Sequence, residues 1–150
     1  MIQYIQYSAI DYYPAFRVNL YDEMTSVDYK PLVVYKSQFT GKELIALPYS
    51  IYLNAKDRYI GITMKIIRLG YASDPSAGTI QFSTTDYPLG FYDVTIYQNN
   101  NDTNMVVANT IKKLYTGLMN IKLQTLVGST VDYTEYTTND TDTESVYITP

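Results

Sequence analysis

Apolar and polar residues alternate with a period of two in a series of short runs, each bounded by turn-forming residues. The clearest is Gly90–Gln98, where Tyr92, Val94 and Ile96 point one way and Phe91, Asp93, Thr95 and Tyr97 the other. That period predicts a strand with one face on a core. Residues 59–67 repeat it, with Ile60, Ile62, Met64 and Ile66 against Gly61, Thr63 and Lys65. Residues 15–21 alternate as Phe16, Val18 and Leu20 against Arg17, Asn19 and Tyr21. Pro31 opens a compact apolar run, Leu32-Val33-Val34-Tyr35, and a turn at Phe39-Thr40-Gly41-Lys42 leads into a strand at 43–47. The Asp74-Pro75-Ser76-Ala77-Gly78 loop precedes a short strand at 79–83 with Ile80 and Phe82 inward.

The run of Asn and Asp at 99–102 is a loop. Beyond it, residues 104–115 read two ways. Thr103 or Asn104 would cap a helix stopped by Gly117, whereas Val106, Val107, Thr110 and Ile111 prefer strands. Residues 118–123 alternate through Met119, Ile121 and Leu123, and 131–136 and 145–148 are closing strands around a polar loop. Short strands separated by turns predict an all-β, antiparallel β-sandwich of about seven to nine strands, immunoglobulin-like in a broad sense. Gly90 and Tyr92 define that fold: a Gly-x-Tyr-x-Val start is how the sixth strand of many such sandwiches begins, with the Tyr hydroxyl turned back to the preceding corner. Residues 1–150 read as a single domain with an N-terminal arm at 1–14 and an acidic C-terminal hairpin at 131–150.

Composition narrows the chemistry. The chain has no Cys, no His and no Trp. Disulfides, thiolate metal sites, imidazole bases, Ser-His-Asp triads and His-built zinc sites are therefore outside its inventory. Tyr is the anomaly, at 18 residues against 4 Phe. Tyr suits strands, and its amphipathic ring also suits contacts between subunits. Net charge is −4, and five acidic residues with no basic one lie beyond position 130 (Asp132, Glu135, Asp140, Asp142 and Glu144). The first 130 residues are near neutral and carry no basic patch, so no direct nucleic-acid binding is expected. The first seven residues lack a charged n-region and a long apolar run, and no stretch has the length of a membrane span.

Few residues offer themselves for chemistry. Asp140, Asp142 and Glu144 space carboxylates at alternate positions, a donor set that suits calcium, but the segment lacks the glycine and full spacing of an EF-hand loop. An exposed acidic loop that keeps its neighbours soluble accounts for them better. Paired carboxylates for glycoside hydrolysis need a defined separation that nothing in the pattern supplies, and the seven glycines are scattered and build no phosphate loop. Neither an enzyme nor a cofactor is expected. Tyr4, Tyr7, Tyr12, Tyr13 and Tyr147, on the two flanks, are the interface candidates.

Motifs in the C-terminal half resemble a group of small structural proteins of bacteriophages infecting Bacteroidota and marine bacteria. The series begins with Gly90, Tyr92, Ile96, Tyr97 and Gln98. Thr103-Asn104-Met105 then stands as a shortened form of a Ser/Thr-x-Asn-Leu element, and Gly117-Leu118-Met119-Asn120-Ile121 as a Gly-initiated strand. An acidic Tyr-containing segment, Asp132-Tyr133-Thr134-Glu135-Tyr136, precedes a terminal Val146-Tyr147, and Lys56-Asp57-Arg58-Tyr59 fits upstream. The chain departs from the pattern at Val106-Val107, where relatives carry Asp-Pro. The resemblance covers residues 56–150 and implies a virion component with no catalytic residues.

The expectation is a bacteriophage virion structural protein assembled in the host cytoplasm. It is capsid-associated as a vertex, decoration or minor capsid component, and its partners are other virion proteins and copies of itself. The N-terminal arm and residues 136–150 would reach those neighbours. Two alternatives compete: a head–tail connector or collar component, and a receptor- or glycan-binding spike domain using Tyr12, Tyr13, Tyr49 and Tyr52 as stacking surfaces.

Overall fold

The computed structural model describes residues 2–6, 15–18, 29–54, 56, 59–67 and 71–124. Ten strands follow in chain order: β1 (Ile2–Gln6), β2 (Ala15–Val18), β3 (Leu32–Ser37), β4 (Glu43–Ala46), β5 (Ser50–Asn54), β6 (Tyr59–Thr63), β7 (Lys65–Ile66), β8 (Thr79–Ile80), β9 (Gly90–Gln98) and β10 (Lys112–Gln124). They form a five-stranded sheet in the order β1-β10-β9-β3-β4, a three-stranded sheet in the order β2-β6-β5, and the β7-β8 pair. All ladders are antiparallel except β1 on β10 and β7 on β8, which are parallel. The order β10-β9-β3-β4 opposite β2-β6-β5 is the G-F-C-C′ and B-E-D division of an immunoglobulin-like sandwich. The protein is an all-β sandwich of this kind.

One core joins the sheets. From the larger sheet come Val33, Tyr35, Leu44, Ala46, Tyr92, Val94, Ile96, Met119 and Ile121; facing them are Ile60 and Ile62 of β6, with Met64, Ile66, Ile80 and Phe82. Alternation accounts for every member, because each strand sends its odd or even positions inward. Residues 59–67 behave as one run for burial and as two strands for pairing. Thr63 O still accepts from Tyr49 N at 2.9 Å, whereas Lys65 N donates to Gly78 O at 2.8 Å and Ile67 N to Ile80 O at 3.0 Å. The chain thus leaves β5 at Met64 and joins β8 without losing its inward phase. Phe82 fills the resulting corner edge-on to both Tyr35 and Tyr92, with ring centroids 5.6 and 5.2 Å away.

The Asp74–Gly78 loop holds a single 3-10 turn, Pro75–Ala77. The Asp74 carboxylate caps it by accepting from Ser76 Oγ and from the Ser76 and Ala77 N–H groups, and these bonds hold its pKa below the usual carboxylate range. Gly78 closes the turn at φ +75°, and a Cβ there would run into the Pro48 and Tyr49 backbone. No side chain fits. The same turn guards an edge, because Leu47 N at the end of β4 donates to Pro75 O at 2.9 Å.

Residues 104–115, left open between helix and strand by the sequence, hold a 3-10 turn at Val107–Asn109 and enter β10 at Lys112. Within the expected arm, Ile2–Gln6 is a strand at the edge of the chain's own larger sheet. Ser50–Asn54, which the hydropathy pattern did not mark, is the β5 edge strand of the smaller sheet. The expected strands at 131–136 and 145–148 and the acidic hairpin lie outside the described residues.

Candidate functional site

The structural centre of the molecule is the β9–β10 hairpin and the corners at its two ends. At the start of β9, Gly90 takes φ +131°, which an L side chain rarely adopts, and sets the strand's direction out of the Pro88-Leu89 corner. Two residues on, the buried Tyr92 donates its hydroxyl to the Pro88 carbonyl. Burial pushes the Tyr92 phenol up to about 12; a hydrogen bond with Ser37 opposes the rise and the Tyr87 hydroxyl adds to it. Tyr35, inside the core, is raised further by burial alone. Both phenols therefore stay neutral where an exposed Tyr would ionise.

At the far end, the connection from β9 to β10 is stapled by two buried amides. Asn104 Nδ2 donates to Asn99 Oδ1 at 2.6 Å and Asn99 Nδ2 donates to Asn104 O at 3.0 Å. Asn104 also brackets Val106, donating to its carbonyl at 3.1 Å and accepting from its N–H at 3.0 Å. This local bonding fixes the loop ahead of Val107–Asn109.

The outward faces carry a polar row and exposed aromatic side chains. Across the larger sheet, Lys36 pairs with Glu43 at 3.6 Å and stands in register with Asp93, which accepts from Gln38 Nε2 at 2.9 Å. That row is a solvated polar band. Beside it lies an apolar groove lined by Gln38, Phe39, Pro88, Leu89, Gly90 and Phe91, with a volume of about 450 Å³. Two bonds hold its walls together: Gln38 N to Phe91 O at 3.0 Å and Thr40 Oγ1 to Asp86 O at 2.8 Å. Phe39 is 87% exposed and Phe91 50%. On the smaller sheet, Tyr52 is 62% exposed and its ring lies 6.5 Å from that of Tyr59, with Tyr49 also exposed nearby in sequence.

Of the interface candidates, only Tyr4 falls on described backbone, where it stands in register with Lys122 at the β1–β10 edge. Tyr7, Tyr12, Tyr13 and Tyr147 lie outside the described residues, as do Asp140, Asp142 and Glu144. Among the described residues no group of three or more Asp and Glu is placed to hold a metal ion, and no helix is long and apolar enough to cross a membrane. The groove was not singled out from the sequence. Its one legible sign was a Phe on the outward phase of β9, and its partner Phe39 is brought alongside only by the tertiary fold.

The fold is an all-β, immunoglobulin-like module with aromatic and apolar side chains exposed on both sheets. No family model, no curated protein and no solved structure matches this chain.

Proposed function

We propose that the chain is a bacteriophage virion structural protein, associated with the capsid and working through contacts with other virion proteins and with copies of itself. The observation that carries the proposal is the ordered motif series: Gly90, Tyr92, Ile96, Tyr97 and Gln98 along β9, Asn104 in the connection, and Gly117 to Ile121 along β10. Support also comes from an inventory without Cys or His and from exposed aromatic side chains on both sheets. Its action is by shape: many copies make individually modest contacts add up. The N-terminal segment is the connector. Ile2–Gln6 pairs along the β10 edge, and an edge of this kind accepts a strand from its own chain or from a neighbour by the same backbone bonds. Deleting residues 1–12, which removes β1, is expected to abolish incorporation into particles, with the fold of the remaining chain verified by a cooperative melt. Normal incorporation of the truncated, folded chain would refute the connector role.

A second reading has its own observation. Tyr49 and Tyr52 expose ring surface on the smaller sheet, and exposed tyrosines of this kind stack on sugars. A glycan-binding spike domain would bind host polysaccharide as an isolated domain and lose that binding on Tyr52→Ala. Absence of any such binding leaves the assembly reading in place.

A further inference from the structure

We propose that β1 is a self-association strand: the β1 of a second copy pairs with it antiparallel, about a two-fold axis at Tyr4, and joins the two larger sheets into one. This rests on the reading of the N-terminal segment as the connector, and it names a copy of the chain as what is connected.

The margin is open and unguarded. β1 is the last strand of the larger sheet, paired with β10 alone among the described strands. Residues 1–10 include no charged residue and no Pro, two of the devices that keep exposed strand edges from pairing. The opposite margin is different. There β4 begins with the charged Glu43, whose carbonyl accepts from Tyr87 Oη, and Leu47 N at its end donates to Pro75 O.

The β1 ladder also calls for support. β9 follows β10 only as far as Ile121, opposite Gly90, whereas β1 follows it to Gln124. Tyr4 with Lys122, Ile5 with Leu123 and Gln6 with Gln124 therefore form a two-stranded ribbon that projects past β9. Two strands alone are marginal in water, and a third stabilises them.

A second copy fits by symmetry and by chemistry. A two-fold axis perpendicular to the sheet pairs the strands antiparallel and keeps the inner face of one sheet continuous with that of the other. Placing the axis at Tyr4, the middle residue, uses all five residues of both strands. Tyr4 then meets Tyr4 of the second copy, Gln3 meets Ile5 and Ile2 meets Gln6. No like charges are opposed, and an aromatic pair set directly across a ladder adds to it.

Solution mass and cross-linking test the pairing. By light scattering the full chain is expected at twice its 17.2 kDa. Tyr4→Glu sets two carboxylates against each other across the axis, yet leaves each opposite Lys122 of its own chain. A monomer with an undiminished melting temperature is the expected result. The chain has no Cys, so Tyr4→Cys copies can link only to one another. Rapid oxidation to covalent dimers is expected of them, with Ser50→Cys copies, substituted on β5, staying mostly single. A full chain that is monomeric at every concentration would overturn the pairing. So would a Tyr4→Glu variant that is still dimeric, or Tyr4→Cys copies that link no faster than Ser50→Cys copies. Particles separate the pairing from the virion reading: a dimer absent from them sinks that reading alone, and a full chain that is monomeric yet normally incorporated sinks the pairing alone.

Discussion

Tyr92 serves the fold with both its ring and its hydroxyl. The ring packs edge-on to Phe82 in the core, and the hydroxyl closes the corner on the Pro88 carbonyl. Tyr92→Phe keeps the ring and strands that carbonyl, so a loss of about 1 kcal/mol is expected in urea unfolding at neutral pH. The pH dependence follows from the raised phenol. Its pKa is 10.0 in an ordinary setting and about 12 in the folded protein. The stabilisation is complete below pH 10, falls as the unfolded chain ionises, and is gone once pH passes the folded value. Stability is therefore expected to drop between pH 10 and 12, and less steeply in Tyr92→Phe, with buried Tyr35 supplying the remaining slope. A profile as steep in the variant as in the parent would show that the Tyr92 phenol does not titrate as described. The corner was legible because its spacing is local: Gly90 and Tyr92 sit two apart on one strand.

At the scale of elements, legibility follows alternation. Gly90–Gln98 and Leu32–Ser37 emerged from the pattern because each packs one or both faces without interruption. The second half of β10 emerged in the same way, through Met119, Ile121 and Leu123, but its first half did not, and the register shows why. A bulge between Lys113 and Tyr115 inserts Leu114, so Leu114 and Tyr115, adjacent in sequence, both pack against the core. A bulge breaks the period of two, and the spacing of Val107, Ile111, Leu114 and Tyr115 then imitates a helical face. Ser50–Asn54 was hidden for another reason: it follows Pro48 with little turn chemistry to mark it, and its partner β6 decides its state. β1 is a strand only because β10 offers an edge. Such pairing is non-local, so no window of sequence contains it. The Asn99–Asn104 staple belongs to this scale as well. Asn104→Ala removes three side-chain bonds and leaves the buried Asn99 Oδ1 with only the longer bond from Asn100 N, at 3.2 Å. A loss of about 1–3 kcal/mol is expected, with faster amide exchange at Val106 and an intact β9. Unchanged exchange there would mean that the loop is held by something other than the staple.

For the whole molecule, the two sheets and their shared core were readable as a class, because turn-separated runs of alternating hydrophobicity have few other ways to bury one face. The exposed apolar groove was not. Phe39 read as a turn residue and Phe91 as an outward strand residue, and the Gln38–Phe91 and Thr40–Asp86 bonds of the folded chain put them in one groove. The edges are managed unevenly. β4 is closed off where Tyr87 Oη donates to Glu43 O at 3.2 Å and Leu47 N to Pro75 O, whereas the larger sheet's other margin is β1 itself. A strand at a sheet margin is the kind of edge on which a further strand can pair. The most direct measurement is the solution mass of the purified chain by light scattering across a wide concentration range, paired with quantitative mass spectrometry of particles from its source. A defined oligomer, or its peptides in particles at fixed stoichiometry, is the expected result; a monomer at every concentration and absent from particles would contradict a virion structural role.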